Sequence, residues 1–154
     1  GLEAAKGKYI IFQDADLEYD PKDFIKFINL INNFEPDIII GSRFNYSDFT
    51  RSYNILNKFG NMLITLIFNL FYNTTFTDIY TCYLCYKKEL VNNEKLKSKG
   101  FGQHAEILCE VVKKGKKFYE VPISYNGRTY EDGKKIKFYH IFEVLYRIMS
   151  GKFK

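Results

Sequence analysis

Asp14 and Asp16 stand one residue apart, with Glu18 two further on, directly after the apolar run Tyr9-Ile10-Ile11-Phe12. That run predicts a buried strand of a parallel sheet. Ligands of open α/β sheets bind at the carboxyl ends of strands, where these acids would lie. Clustered carboxylates repel one another unless a cation sits between them. Oxygen donors suit a hard divalent ion, Mg2+ or Mn2+, which usually brings a phosphate-bearing substrate with it. The competing reading is that Asp14 and Asp16 cap a turn and the helix that starts near Pro21.

The elements that would position these residues follow from spacing. Lys8 to Gln13 reads as a strand. Pro21 opens a helix whose apolar face is Phe24, Phe27, Ile28 and Ile31. Pro36-Asp37 ends it, and Ile38 to Ile40 is a second buried strand running into Gly41-Ser42-Arg43. A long helix from about Tyr53 to Tyr72 follows. Then come a loop with Thr77-Asp78, a strand Tyr83 to Tyr86, and a helix Gln103 to Lys114 closed by Gly115. Lys117 to Ile123 is a strand, Arg128 to Lys135 a basic loop, and Phe138 to Met149 an amphipathic helix. Strands alternating with helices predict an α/β sandwich.

Composition narrows the partners. The chain has 154 residues, 46% of them hydrophobic, enough for one globular domain with a core. The net charge of +5 favours anionic ligands such as nucleotide-linked substrates or lipid phosphates. Nucleic acid is disfavoured because no helix-turn-helix, zinc or RNA-binding signature is present. Cys82 and Cys85 have redox or zinc spacing but lack a second ligand pair. With Cys109 they read as core thiols, and strand alternation would point the first two to opposite faces. The longest apolar stretch, Met62 to Tyr72, is too short to span a bilayer. His104 and His140 have no acidic or Cys neighbours at metal spacing and read as surface or boundary residues. Gly1 to Gly7 looks like the last turn of a helix with a glycine stop, so more chain is expected before it.

The ordered series Asp14-Ala-Asp16-Leu-Glu18, Gly41-Ser-Arg43, Asp78, Glu106, Glu120-Val-Pro-Ile123, Tyr125, Arg128 and Gly133-Lys134-Lys135 resembles the family 2 glycosyltransferases. It is most similar to their dolichyl- or polyprenyl-phosphate mannosyl- and glucosyltransferase branch. The resemblance implies a GT-A-type, Rossmann-like α/β/α sandwich with a mostly parallel central sheet, of which this chain is the C-terminal portion. Residues 1–136 would form a partial catalytic domain holding the metal site and the acceptor half, and 137–154 a basic amphipathic helix. The family's base- and ribose-binding strands would precede Gly1.

The implied reaction is metal-dependent, inverting transfer of a hexose from a nucleotide sugar of the GDP-mannose or UDP-glucose type. The acceptor would be a polyprenyl phosphate or a cell-envelope saccharide. Asp14 and Asp16 would hold Mg2+ or Mn2+ with Glu18 as third ligand, and Asp16 would serve the chemistry directly. Asp78 matches a loop aspartate that acts near the acceptor as base or orienter. Arg43, Arg51, Arg128 and Lys134 would hold phosphate, with Glu106 and Lys135 as lesser candidates. Plain readings stand beside these: Arg43 as a surface arginine, Asp78 as a turn cap, Glu106 as a solvated helix acid, and Glu120-Val-Pro as edge-strand packing.

A lipid-phosphate acceptor implies action in the cytoplasm at the inner face of a membrane. The helices over Tyr53 to Tyr72 and Phe138 to Lys154 would then lie at the interface, or else pack on their own domain. Two rival functions remain. A haloacid-dehalogenase-like phosphatase also places Asp-x-Asp after a strand, but it needs later motifs this chain lacks. A split chain acting as a non-catalytic binding module is the other.

Overall fold

The computed structural model describes residues 1–45, 51, 55–92, 94, 96–98, 101–128 and 140–153. Strand β1 is Tyr9–Ile11, and a 3-10 turn Pro21–Asp23 leads into α1, Phe24–Phe34. Asp20 caps this start, its side chain accepting the Lys22 N–H at 2.9 Å, so neither Asp14 nor Asp16 has that task. Glu35, left-handed at φ 46°, closes α1 ahead of Pro36. Strand β2 is Ile38–Ser42, α2 is Ile55–Tyr72 and β3 is Leu84–Lys87. Helix α3, Phe101–Lys114, strand β4, Phe118–Pro122, and helix α4, His140–Lys152, complete the order.

The sheet runs β1-β3-β2-β4. β3 pairs antiparallel with both β1 and β2, and β2 pairs parallel with β4. The sheet is therefore mixed, where a mostly parallel one is expected from the sequence. Three strands do run one way; β3 alone is reversed, and it sits between β1 and β2. The reason lies in its approach. Thr77 and Asp78 bond to Ser42 and Arg43 at the carboxyl end of β2. A chain arriving there can enter the sheet only by running back through it.

Alternation divides two cores. Ile38, Ile40, Leu84 and Tyr86 pack with Ile64 and Phe68 of α2, Ile107 and Leu108 of α3, and Val144 and Ile148 of α4. Ile39, Tyr83 and Cys85 pack on the other face with Phe27 of α1. The result is helices on both faces of the sheet, the α/β layering expected from the alternating pattern. At the centre Gly41 leaves no room for a side chain. A Cβ there would lie 2.8 Å from Ile123 Cγ2 and 2.9 Å from Tyr83 Cβ.

Helix α2 has an unusual outer face. Ile55, Leu56, Phe59, Met62, Leu63, Leu66 and Leu70 are all exposed, and their spacing of three and four places them on one side. Asn61, Ile64, Thr65, Phe68 and Tyr72 face inward. By length and composition alone, α2 is the one helix among the described residues that would suffice to cross a membrane, which the shorter run Met62 to Tyr72 does not suggest. Its inward polar side chains tie it to the domain: Asn61 donates to Asp78 at 2.6 Å and Asn69 to the Phe76 carbonyl at 2.7 Å. Helix α4 lies alongside, the Tyr72 hydroxyl donating to the Ile148 carbonyl at 3.0 Å. It adds Phe142, Tyr146 and Met149 to the exposed apolar surface, and Phe153 follows just beyond it.

Candidate functional site

Because β1, β2 and β4 share a direction, their carboxyl ends meet on one edge of the sheet, and the reversed β3 begins there. The residues following β1, β2 and β4, and those preceding β3, therefore converge. This edge is where an open α/β sheet binds its ligand.

Asp14 is exposed at this edge and its carboxylate lies beside the Cys82 thiol. Burial, then the charge of Asp14, pushes that thiol up to about 12; the charge of Asp16 acts in the same sense. Both aspartates thus act on one group ahead of β3. Asp16 Oδ1 accepts the Glu18 N–H at 3.2 Å, closing a local turn, while Oδ2 accepts Arg128 Nη2 at 2.7 Å. Leu17 between them adopts φ 63° and is 89% exposed, a backbone state that non-glycine residues rarely take.

Glu18 is fully engaged. Oε1 accepts the Arg128 main-chain N–H at 2.9 Å and Nε at 3.0 Å, and Oε2 accepts the Tyr125 hydroxyl at 3.1 Å. Burial alone would raise its pKa, but these bonds outweigh it and hold the carboxyl below the usual range. Among the described residues no three His, Cys, Asp or Glu side chains are arranged to hold a metal. The Glu18 oxygens, which the sequence offers as a third ligand, are taken up here by Arg128 and Tyr125. Glu18 faces Arg128 and Tyr125, anchoring the segment after β4.

Asp14 and Asp16 by themselves fit a divalent cation. Mg2+ is commonly held by one or two carboxylates, with water and substrate phosphate completing its octahedron. Asp16 Oδ2 already accepts a cationic group, the guanidinium of Arg128.

Behind this pair lies a buried ionic knot. Asp78 is fully buried. Its Oδ2 accepts the Arg43 main-chain N–H at 3.0 Å and Nε at 2.7 Å; its Oδ1 accepts Arg43 Nη2 at 2.8 Å and Asn61 Nδ2 at 2.6 Å. Burial would raise the Asp78 pKa, yet the Arg43 charge and these bonds keep it low. Arg43 also donates to the Tyr80 carbonyl at 3.0 Å, and its guanidinium carbon lies 5.1 Å from the centre of the Tyr125 ring. Glu120 supports the loop, accepting the Thr77 N–H at 2.8 Å and the Asp78 N–H at 3.3 Å. Burial raises its pKa against those bonds.

Arg51 clasps the same segment, its N–H donating to the Tyr125 carbonyl at 2.9 Å and Nη1 to the Gly127 carbonyl at 3.1 Å. Arg43, Arg51 and Arg128 thus meet around Tyr125 with Asp16 and Glu18. Glu106 does not join them. It accepts the main-chain N–H groups of Lys97 at 3.0 Å and Ser98 at 2.7 Å, closing the turn before α3. Lys134 and Lys135 lie outside the described residues.

Three site residues are not among the sequence candidates: Tyr125, Asn61 and Glu120. Tyr125 and Glu120 stand in the motif series but carry no chemical signal of their own. Asn61 is a polar residue inside an apolar run, and that incongruity was its only trace.

Burial raises the pKa of all three cysteine thiols. Cys85 is pushed to about 12 and Cys109 to about 11, chiefly by burial. Cys82 precedes β3 and packs on the same core as Cys85, so the two do not point to opposite faces as strand alternation suggests.

His104 is half-buried, between the Tyr80 and Phe12 rings, with Nε2 3.2 Å from the Ile79 carbonyl. A carbonyl only accepts, so Nε2 carries the proton and donates. Burial lowers the imidazole pKa to about 4 from an ordinary 6.5. The unfolded chain then binds more protons between those values, so stability is full above about pH 6.5 and falls as pH drops toward 4. Comparing Tm against pH for His104→Gln and the native protein should show a shallower acid decline in the variant across that window. Parallel curves would refute the linkage.

This α/β sandwich, with carboxylates and arginines gathered at the strand ends, has the GT-A fold. Residues 1–93 match the sequence pattern described as Glycosyl transferase family 2, and the chain belongs to that family. Two Haloferax volcanii proteins are similar to it. The low-salt glycan biosynthesis hexosyltransferase Agl6 is 28% identical over 131 residues, 84% of this chain and 32% of that protein. The glycosyltransferase AglJ is 31% identical over 123 residues, 78% of this chain and 39% of that protein. The chain thus spans about a third of the length of these relatives. Among solved structures, glucosyl-3-phosphoglycerate synthase from Mycobacterium tuberculosis superposes with a TM-score of 0.64 at 14% identity. The overlap is 97% of this chain and 51% of that one, a likeness of fold. Family membership sets aside the phosphatase reading.

Proposed function

We infer that the protein takes part in metal-dependent transfer of a hexose from a nucleotide sugar to a polyprenyl phosphate at the cytoplasmic face of a membrane. The observation that carries this is the gathering of Arg43, Arg51 and Arg128 around Tyr125 at the strand ends, with Arg128 bonded to Asp16. Two phosphate groups must come together in this reaction, one on the donor and one on the acceptor, and their charge needs offsetting. Asp14 and Asp16 would hold the divalent ion, which when bound supplies charge neutralisation for the departing diphosphate.

The acceptor's phosphate oxygen is already an anion, so the site needs no strong base. Asp78 suits the role of orienter. Fully buried, it fixes the Arg43 guanidinium by two bonds and leaves neither of its oxygens exposed. Inversion at the anomeric carbon is the outcome the family resemblance implies.

The lipid-phosphate choice rests on α2 and α4. A helix apolar on both faces needs cover on both. The inner face of α2 meets the core, while the outer stripe from Ile55 to Leu70 is bare and adjoins the exposed apolar residues of α4. Lys58, Arg147 and Lys152 lie on the same two helices, the composition of a surface that rests on anionic headgroups. Asn61 links this helix to Asp78, so the bilayer face and the site share one rigid element.

Two measurements test the reading. The first is thermal stability with GDP-mannose or UDP-glucose plus Mn2+: one donor should raise Tm in proportion to the logarithm of its concentration above Kd. The second is a radiolabelled-sugar assay offering polyprenyl phosphate and a soluble saccharide side by side. Transfer to the saccharide alone would sink the lipid-phosphate choice and keep the glycosyltransferase. Donor binding without transfer to either acceptor would favour the split-chain, binding-module alternative.

A further inference from the structure

We propose that Arg128 is an exchangeable cation. It neutralises Asp16 while no metal is bound, and it turns to the donor's diphosphate when a divalent ion takes Asp16. This rests on the metal-dependent reading above and goes beyond it by giving one residue two successive partners.

The geometry separates what is pinned from what can move. The main chain around Arg128 is held at several points. Its own N–H donates to Glu18 Oε1 at 2.9 Å, the Asn126 N–H donates to the Glu18 carbonyl at 2.9 Å, and Tyr19 and Tyr125 form a β-bridge. The Tyr125 hydroxyl secures Glu18 Oε2 from the other side at 3.1 Å. Among the described residues, the guanidinium end meets two acids: Nη2 to Asp16 Oδ2 at 2.7 Å and Nε to Glu18 Oε1 at 3.0 Å. Its side chain is 38% exposed, and Glu18 keeps the main chain in place.

Charge supplies the driving force. A divalent ion on Asp14 and Asp16 would claim the oxygen that Nη2 uses and bring like charge against the guanidinium, with repulsion steep at contact distance. A planar guanidinium released there finds its best-matched acceptor in a phosphate, which it can grip through two parallel bonds. The diphosphate of a nucleotide sugar arriving with the ion provides one. Each ligand would then favour the other, because coupling between two binding events is reciprocal. The assignment also gives Glu18 a purpose: it holds the hinge of the exchange, so its carboxylate stays with Arg128.

The test is Mn2+ binding, read from the electron paramagnetic resonance of free Mn2+ during titration of the protein without nucleotide. Removing a competitor should tighten binding, so Arg128→Gln should bind Mn2+ about fivefold or more tightly than the native protein. Arg128→Lys, which keeps a positive charge in reach of Asp16, should stay near the native value, and Asp16→Asn should lose most binding. Glutamine leaves the main-chain bond to Glu18 in place, so that variant is expected to fold, and an unchanged circular dichroism spectrum checks it. Equal or weaker Mn2+ binding by Arg128→Gln, in a protein that does bind Mn2+, overturns the exchange and leaves the metal reading standing. No Mn2+ binding by either protein at millimolar concentration overturns both.

Discussion

Asp78→Ala should destabilise the protein by about 3–5 kcal/mol, the usual result of leaving one member of a buried ion pair without its partner. Asp78 is fully buried and receives four hydrogen bonds, three from Arg43 and one from Asn61. Its removal strands a guanidinium whose side chain is only 16% exposed and an amide whose Oδ1 already lacks a partner. Denaturant unfolding should show this as a lower midpoint with an unchanged slope. The double variant Asp78→Leu with Arg43→Met is the discriminating control. Replacing both charges with apolar groups of similar volume should recover most of the loss, because the pair's own net contribution is small once desolvation is counted. If the double variant is as unstable as the single one, the unpaired charge is not the cause. The pH dependence follows the same logic. The folded pKa of Asp78 is depressed, so its contribution is present above about pH 4 and fades as pH falls through the folded value. That window lies below the one set by His104.

The acids after β1, the β2 arginine and the order of elements were legible because each has a local cause. Apolar runs mark β1 and β2, Pro21 marks a helix start, and Asp14, Asp16 and Arg43 follow the strands directly. Direction of pairing was not legible. An apolar strand such as Leu84 to Lys87 reads the same in either sense, and only the contact of Thr77 and Asp78 with the end of β2 fixes its reversal. The partner of Glu18 was equally hidden. Acid spacing suggests three ligands for one ion, but the choice between a metal and Arg128 depends on where the chain returns 110 residues later. Asn61 shows the same limit from the other side. In sequence it is a blemish in an apolar helix; in space it is the link between that helix and the buried pair. Long-range ionic contacts decide the details of this site, and sequence periodicity carries no information about them.

Asp16→Ala should do the opposite of Asp78→Ala, leaving stability almost unchanged while removing function. Its bond to Arg128 is a partly exposed ion pair, of a kind typically contributing about 1 kcal/mol or less, and its turn bond to the Glu18 N–H is long at 3.2 Å. Tm should therefore shift by no more than a few degrees. Under the reaction proposed above, Asp16 contributes an oxygen to the ion that offsets charge on the leaving diphosphate. Loss of one such preorganised electrostatic contact commonly lowers kcat by about 10²–10³-fold. The measurement is hexose transfer to polyprenyl phosphate at saturating donor, over a Mn2+ series, for the native enzyme, Asp16→Ala and Asp14→Ala. Both variants should need more Mn2+ as well as turning over more slowly, since each removes one of two carboxylates. Asp16→Ala carries a further consequence, because it also frees Arg128 from its ionic partner. If transfer persists at the native rate and Mn2+ requirement, the ion does not sit on Asp16, and the site at the carboxyl end of β1 must work through its arginines alone.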